Sequence, residues 1–347
     1  MRRFIALFLT LALLLSGCVI YLPMPEEAPE TLGELTVHFI DVGQADCALV
    51  EYNGQYLLID GGNREDGQLV VSYLEQQGVQ ELAAVICSHA HEDHVGGLPA
   101  VLAVYPTAAV YAPTRTYSSN IFDKFLYYTD QQGLEVTIPA PGEEITLGEV
   151  TGTFLGPVRS YADTNNTSLV LRLAFGETTF LFTGDMETDA ESDLLDHWGD
   201  ENPLLHADVL KMGHHGSNTS SGYRFLNAVD PDYAVISVGT GNSYGHPHRE
   251  PMARLRQAEI TALRTDELGH ILAHSDGTTV TFTWQNQNAQ PEDVTPGEAM
   301  QYIGNKNSKI FHGPDCNSLP REDNRVYFDS YSEAVGAGYS PCGGCLG

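Results

Sequence analysis

Three histidines and an aspartate lie within six positions of one short segment. They are His89, His91, Asp93 and His94, and they follow an apolar, strand-like run that ends at Cys87. Alternate residues of an extended segment point to the same side, so we expect His89 and His91 to converge on one point. Asp93 and His94 would converge on a second point beside it. Imidazole and carboxylate groups bind zinc and similar divalent ions, and two neighbouring ions can catalyse hydrolysis. The alternative is a polar loop that happens to be rich in histidine.

The elements around this segment must hold it at the edge of a sheet. The pattern predicts a helix over 95–105, directly after the aspartate and the last histidine. Upstream, the segments 47–52 and 55–60 predict a hairpin with a type I′ turn at Asn53 and Gly54. Strands followed by helices, repeated twice along residues 33–284, indicate an α/β fold.

The spacing His-x-His-x-Asp-His resembles the defining motif of the metallo-β-lactamase fold superfamily. The resemblance covers nearly all of residues 33–284 and implies an αββα sandwich, in which two sheets pack face to face with helices outside. It also implies a metallo-hydrolase. Substrates differ widely across the superfamily, so the fold alone does not define the reaction.

The resemblance extends to ligands further along the chain. Asp185 ends a predicted strand and resembles the superfamily's bridging ligand, and one imidazole of the pair His214 and His215, for which we favour His215, would complete the second ion. No histidine lies between His94 and Asp185, where many members supply a third imidazole for the first ion. That shortage leaves room for Zn²⁺ or for a harder ion such as Mn²⁺. The predicted ligands of the two divalent cations are His89, His91, Asp93, His94, Asp185 and His215.

Several motifs resemble the ComEC-like branch of the superfamily. They are the segments 39–46, 58–62, 165–169 and 212–221. In that branch Asp60 lies near the metal loop and orients it, as outer carboxylates orient ligating imidazoles. The alternative is that it only forms the turn at a strand end. The residues predicted to surround the ions or to contact the substrate are Asp60, Asn166, Ser168, Lys211 and Ser217.

Three residues are predicted to be catalytic, namely Asp93, His214 and His246. His214 would line the pocket or contact the substrate. His246 would be a pocket residue or a proton carrier, and structural hydrogen bonding is the alternative. Ser217 and Ser220 would bind a phosphoryl oxygen, or would cap the helix predicted over 222–229.

The N-terminal segment predicts export. Arg2 and Arg3 precede an apolar run over 4–15, which is typical of a signal peptide. The following Leu-Ser-Gly-Cys18 resembles a bacterial lipobox, which implies removal of residues 1–17, a lipid on Cys18 and attachment to the outer face of the cell membrane. The alternative is an ordinary signal with a chance cysteine. Residues 18–32 would form a tether.

The charge of the chain bears on its partners. The net charge is −29, and no basic patch stands out in the sequence. Long-range attraction of nucleic acid by the protein surface is therefore excluded, and bound cations would have to draw any polyanionic substrate.

The C-terminal region predicts a second metal site. After a linker at 285–299, residues 300–347 contain one histidine and three cysteines at the spacing of a four-ligand structural zinc site. The predicted ligands are His312, Cys316, Cys342 and Cys345. This module resembles the zinc-binding domain of the Ada DNA-repair protein. A disulfide among these cysteines is the alternative in an exported protein.

The motifs shared with the ComEC-like branch imply a membrane-anchored, metal-dependent phosphodiesterase that acts on DNA. Two alternatives stay open at this point. One is a phosphodiesterase that releases phosphorylcholine from wall teichoic acid, and the other is a non-catalytic lipoprotein that binds DNA or the wall. Hydrolysis of β-lactams is disfavoured by the missing third histidine and by the different later motifs. The sequence indicates no protein partner.

Overall fold

A computed structural model describes residues 33–291, 302–313, 316, 318–328, 331–343 and 345–346. The predicted signal peptide, Cys18, the tether and most of the linker at 285–299 lie outside these residues. Within the described part of the chain, no helix is both long enough and apolar enough to cross a membrane.

The first sheet has eight strands in the order β15-β14-β1-β2-β3-β4-β5-β6. Strands β1 to β3 are antiparallel neighbours, whereas β3 to β6 run parallel to one another. The predicted hairpin is confirmed, because Asn53 and Gly54 both have positive φ between β2 and β3. The strands are β1 Leu35–Phe39, β2 Ala48–Tyr52, β3 Gln55–Ile59, β4 Ala84–Ile86, β5 Val110–Tyr111, β6 Val136–Thr137, β14 Ile271–Ser275 and β15 Val280–Trp284.

The second sheet has seven strands in the order β13-β12-β11-β10-β9-β8-β7. Strands β10 to β13 are parallel, and β7 to β10 are antiparallel. The strands are β7 Glu144–Leu147, β8 Val150–Gly156, β9 Val170–Phe175, β10 Thr178–Phe182, β11 Val209–Lys211, β12 Tyr233–Ile236 and β13 Thr261–Arg264.

Helices cover the outer faces of both sheets, which gives the predicted αββα sandwich. Three apolar clusters form the core: one beneath helices α1 to α4, one between the two sheets, and one beneath helices α5 to α7. The fold is therefore the mixed α/β architecture that the sequence predicts. The helices are α1 Gly67–Gln76, α2 Glu92–Val95, α3 Leu98–Val104, α4 Asn120–Gln131, α5 Thr188–Trp198, α6 Tyr223–Val229, α7 Arg249–Gln257, α8 Thr265–Leu268 and α9 Tyr331–Gly336.

The helix predicted over 95–105 is wrong in its start and in its continuity. A short helix, α2, begins at Glu92, and a break at Gly96 and Gly97 separates it from α3. The glycine at position 97 lets the loop after β3 approach closely, since a Cβ atom there would collide with the carbonyl oxygen of Gly61. Sequence periodicity alone does not reveal this contact, because it joins segments that are far apart in the chain.

The parallel strands place the polar loops together. Strands β3 and β4 of the first sheet and β10, β11 and β12 of the second sheet all lead into polar residues at their carboxyl ends. Parallel strands present these ends at one edge, and ligands of α/β proteins commonly bind there. Five loops from two sheets thus meet at one site.

The C-terminal segment forms a small four-stranded sheet in the order β18-β16-β17-β19. Its strands are β16 Tyr302–Asn305, β17 Ile310–His312, β18 Arg325–Phe328 and β19 Ser340–Pro341. Its core includes Tyr302, Phe311 and Phe328, and Tyr223 of α6 packs against it.

Candidate metal centre

The loop after β4 supplies the first pair of imidazoles. His89 is fully buried, and its Nε2 lies 3.0 Å from Nδ1 of His91. The same His89 nitrogen lies 3.8 Å from Oδ2 of Asp185. The two histidines therefore converge as the extended pattern predicts, beside the carboxylate that ends β10.

His94 is oriented from both sides by carboxylates. It lies in α2, with Nε2 3.2 Å from Oδ1 of Asp185 and Nδ1 2.9 Å from Oδ2 of Asp60. The oxygens of Asp60 also accept hydrogen bonds from the backbone nitrogen and the hydroxyl of Ser88, each at 2.7 Å. Asp60 thus occupies the position of an outer carboxylate that orients an imidazole, as predicted for it.

Two predicted residues of the loop before β9 hold the Asp185 loop in place. The backbone nitrogen of Asp185 donates to Oγ of Ser168 at 3.0 Å. Two residues further on, the backbone nitrogen of Glu187 donates to Oδ1 of Asn166 at 3.0 Å. Both side chains are buried. They position the carboxylate, and they do not contact the imidazoles.

His215 completes a compact donor group. Its Nε2 lies 3.3 Å from Oδ2 of Asp93 and 3.7 Å from Oδ1 of Asp185. Its Nδ1 lies 3.0 Å from the carbonyl oxygen of Ser237 and 3.2 Å from Oδ1 of Asp46. His215 is therefore oriented by the carbonyl oxygen of Ser237, with the carboxylate of Asp46 beside the same nitrogen.

Asp46 is a residue that the sequence analysis did not single out. It lies within a motif quoted there, and an acid just before a buried strand was the available signal. Nζ of Lys211 lies 2.7 Å from Oδ2 of Asp46 and donates to the carbonyl oxygen of Met212. Lys211 is buried in this pair and does not line the cleft. Lys211 was predicted to lie near the ions or the substrate. Its ammonium group instead pairs with the buried carboxylate of Asp46 and neutralises its charge.

The donor set fits a cation. The ligand atoms of Asp93, His94, Asp185 and His215 all lie within 4.8 Å of one another. Nε2 of His94, Oδ1 of Asp185 and Nε2 of His215 are buried without a hydrogen-bond partner. Buried polar atoms without partners are costly, so a bound cation that all three atoms ligate would remove a large penalty.

The electrostatics of the protein also favour a cation. Burial alone would lower the pKa of His94, but Asp185, Asp60 and Asp93 outweigh it and raise that pKa well above its usual value. The same balance, with burial opposed by Asp185 and Asp46, raises the pKa of His215 to about 10. The cluster of carboxylates thus draws positive charge to this point, which protons supply when no metal is bound.

The centre opens into a cleft of about 750 Å³. Its acidic lining includes Glu65, Asp66 and Glu92, and no lysine or arginine lines it among the described residues. At its rim Tyr244 is 68% exposed, and its ring stacks on His246 at 5.6 Å. The lining residues are Val42, Gly43, Gln44, Asn63, Glu65, Asp66, His91, Glu92, Asp93, Asn165, Asp185, His214, His215, Tyr244 and His246.

His246 lies in the cleft and also makes a structural hydrogen bond. Its Nδ1 lies 3.2 Å from Nε2 of Gln44. Burial, helped by His215 and His214, lowers the pKa of His246 to about 4. The imidazole is therefore neutral near pH 7, and because its Nδ1 accepts from Gln44, its Nε2 carries the proton.

The two serines of the loop after β11 bond to neighbouring protein groups and do not cap α6. Ser217 is buried and bonds to Thr219, and Oγ of Ser220 donates to the carbonyl oxygen of Met186. Neither serine caps α6. Instead, the buried carboxylate of Glu191 accepts the backbone N–H groups of Ser221 at 2.5 Å and of Gly222 at 2.9 Å.

The tail brings its four predicted ligands together. Ligand atoms of His312 and the three cysteines lie within 4.8 Å of one another, and Nδ1 of His312 lies 3.2 Å from Sγ of Cys316. All described cysteines are free, so the disulfide alternative is not what the structure shows. The group is Cys316, Cys342 and Cys345 with His312.

Comparison with known proteins agrees with this geometry. The profile of the metallo-beta-lactamase superfamily matches residues 40–240, and the chain belongs to that superfamily. The profile of the metal binding domain of Ada matches residues 296–346.

Relatives in the competence branch share the hydrolase region. Over 74% of the present chain, the sequence is 36% identical to competence protein ComA of Neisseria gonorrhoeae. Over 68% of the present chain, it is 30% identical to ComE operon protein 3 of Bacillus subtilis. It spans about a third of each relative, 34% and 32% respectively. Among solved structures, the metallo-beta-lactamase fold protein YhfI of Bacillus subtilis matches with a TM-score of 0.44 and 18% identity, over 63% of this chain and 92% of that one.

Proposed function

We propose that this chain is an exported, metal-dependent phosphodiesterase that acts on DNA and is held to the outer face of the membrane by a lipid on Cys18. The placement of Asp185 gives the main support. Its Oδ1 faces His94 and His215, whereas its Oδ2 faces His89. One carboxylate is thus available to two divalent cations, Zn²⁺ or Mn²⁺.

Bound divalent cations would supply Lewis-acid activation of water and neutralise charge on a phosphoryl group. The chain's own residues then have distinct tasks. Asp60 and Asp46 hold His94 and His215 with Nε2 turned to the centre. Neutral His246, at the cleft wall, carries its proton on Nε2 and can donate a hydrogen bond to a substrate oxygen.

Two observations support a nucleic-acid substrate. The named relatives in the competence branch share 30% to 36% identity with this chain over the region of the centre. In addition, the exposed ring of Tyr244 stands at the rim, where a nucleobase can stack on it. Stacking on one aromatic side chain is worth about 1–3 kcal/mol per base and needs no basic surface.

The decisive test is cleavage of plasmid DNA and of bis(p-nitrophenyl) phosphate with added Mn²⁺ or Zn²⁺. We expect activity on both substrates, and we expect Asp185→Asn to reduce it by at least roughly 100-fold, since charge stabilisation at the reacting group is lost. Asp130→Asn changes an exposed carboxylate of α4 and should leave activity intact. A wild-type protein that binds no metal and cleaves neither substrate would instead indicate the non-catalytic lipoprotein.

A second candidate is the release of phosphorylcholine from wall teichoic acid. The acidic cleft lining at Glu65, Asp66 and Glu92 favours it, because a cationic choline group would be attracted there. Release of choline phosphate without any plasmid nicking would replace DNA by this substrate.

The tail would hold one structural Zn²⁺, since thiolate and imidazole donors prefer zinc. A folded unit of this size gains much of its stability from such an ion. Elemental analysis of Cys342→Ser beside His91→Ala should show loss of a different ion in each variant.

A further inference from the structure

The two oxygens of Asp185 face two separate groups of imidazoles. Oδ1 lies 3.2 Å from Nε2 of His94 and 3.7 Å from Nε2 of His215. Oδ2 lies 3.8 Å from Nε2 of His89 and 3.7 Å from Nε2 of His214. The second group also includes His91, 3.0 Å from His89. The ligand atoms of the first group lie within 4.8 Å of one another together with Asp93, whereas the second group is defined by these pairwise distances, which join its imidazoles to Oδ2 of Asp185 or to each other.

We infer that His214 is a metal ligand, which supplies the third imidazole of the first cation position together with His89, His91 and Oδ2 of Asp185. This inference rests on the two-cation centre of the proposed function. It differs from the sequence prediction, which assigned His214 to the pocket lining or to the substrate.

The other nitrogen of His214 supports this role. Its Nδ1 lies 3.3 Å from Oε1 of Glu187 and 3.2 Å from Oγ1 of Thr219. His94 shows the same arrangement, with one nitrogen at Asp185 and the other at Asp60, and Nδ1 of His215 lies between the carbonyl oxygen of Ser237 and the carboxylate of Asp46. Such outer carboxylates accompany metal-ligating histidines.

His246 provides an internal contrast. It lies in the same cleft, and its ring is 5.6 Å from that of His214. Its Nδ1 meets the amide of Gln44 rather than a carboxylate. Proximity to the centre alone therefore does not produce the arrangement seen at His214.

The backbone explains how adjacent histidines reach both oxygens of one carboxylate. His214 and His215 have φ values of 50° and 53°, so both lie in the left-handed region, and Gly216 continues it at 80°. Non-glycine residues are strained in this region and persist there only where the surroundings enforce it. The loop is held by the backbone nitrogen of His214, which donates to the carbonyl oxygen of Gly184 at 3.1 Å.

The assignment also resolves the ligand shortage noted in the sequence. No histidine lies between His94 and Asp185. His214 lies beyond Asp185 in the chain but reaches its Oδ2, so the imidazole expected from an earlier loop comes from a later one.

The test is a Mn²⁺ titration of the full-length, chelator-treated protein, followed by electron paramagnetic resonance and calorimetry without substrate. Thiolate sites disfavour Mn²⁺, so the tail should not contribute. We expect two ions and a spin-coupled spectrum in the wild type. His214→Ala should retain one ion with an uncoupled spectrum, and the ion at the first cation position should bind at least roughly 100-fold more weakly.

Two further variants define the outcome. Glu187→Gln leaves the imidazole of His214 in place. It should weaken the binding only of the ion at the first cation position, by about 10- to 100-fold. His246→Ala removes an imidazole from the same cleft and should keep both ions. Two ions of wild-type affinity in folded His214→Ala would overturn the inference and leave the proposed function standing. Two coupled ions in a wild type that cleaves no phosphodiester would overturn the proposed function alone.

Discussion

At the scale of single residues, the centre depends on carboxylates that never touch the cleft. Asp60 and Asp46 each hold the outer nitrogen of a histidine whose other nitrogen faces Asp185. Because Asp46 is buried, its charge needs a partner, and Lys211 is that partner. A lysine that the sequence placed near the substrate therefore acts on the ligands through Asp46.

Lys211→Met should destabilise the fold strongly. The substitution leaves the buried charge of Asp46 without its cation, and removing one member of a buried pair costs about 3–5 kcal/mol. Urea unfolding in the presence of a chelator measures the change. Arg159→Ala breaks an exposed pair with Asp193 and should cost at most about 1 kcal/mol. Equal losses for the two variants would contradict the role given to Lys211.

Sequence reasoning identified the residues that carry dense local signals. His89, His91 and His94 lie in one motif, and Asp185 ends a clear strand, so their convergence was predictable. The contact between Asp46 and His215 joins positions far apart in the chain and has no local signature. The role of Glu187 depends on the left-handed turn at His214, which no residue pattern in the sequence announces.

At the scale of elements, the strands of both sheets end at one edge, and this brings the loops that carry the metal ligands together. The order of strands and helices was predictable from apolar runs and turn residues. The break between α2 and α3 was not predicted, although two adjacent glycines marked the place. Its cause is the close approach of Gly61, whose backbone nitrogen donates to the carbonyl oxygen of His94 at 2.7 Å.

Gly97→Ala should disturb both stability and metal binding. Its Cβ would meet the carbonyl oxygen of Gly61, and overpacking of this kind costs about 1–3 kcal/mol. The shift would separate Asp60 from His94, so Mn²⁺ affinity should fall as well. Gly336→Ala, which has open space around its Cβ, is the control and should not lower the free energy of unfolding. Unchanged metal affinity in folded Gly97→Ala would argue against this coupling.

Glu191, a buried residue of α5, makes the free energy of unfolding depend on pH. Burial raises the pKa of its carboxyl to about 7, although Gly222, Ser221 and Arg254 oppose the rise. Glu187, the other charged neighbour, adds to it. Because the folded pKa lies above the unfolded value near 4.5, the stabilising contribution is complete below pH 4.5 and is lost as the pH rises to 7.

The loss should amount to about 3 kcal/mol over this interval. Free energies of unfolding in urea, measured at pH 5 and pH 8 under the same metal conditions, should therefore differ more in the wild type than in Glu191→Gln. Parallel pH profiles for the two proteins would show that Glu191 ionises as it does in the unfolded chain.

At the scale of the whole molecule, the negative net charge repels polyanions. The chain carries a net charge of −29, and the cleft adds acidic residues at its mouth. Under the proposed function, attraction to DNA must then be local, through bound cations and ring stacking. This would distinguish the protein from nucleic-acid-binding proteins that rely on a basic surface.

Moderate salt should therefore increase the activity on DNA. Between about 10 mM and 150 mM monovalent salt the screening length falls from about 30 Å to about 8 Å, so repulsion between protein and DNA weakens. We expect the KM for DNA to fall at saturating Mn²⁺, whereas the KM for bis(p-nitrophenyl) phosphate should change little. A KM for DNA that rises steadily with salt would indicate a cationic contact surface instead.

The cation ligands come from both halves of the sandwich, with His89 to His94 after β4 and Asp185 to His215 after β10 and β11. Neither half alone carries a complete set. A nascent chain that has not reached His215 therefore lacks part of the ligand set, and so does either half on its own. Under the proposed function, the cell that makes this enzyme would be shielded from its own hydrolase until both halves have been made and have folded together.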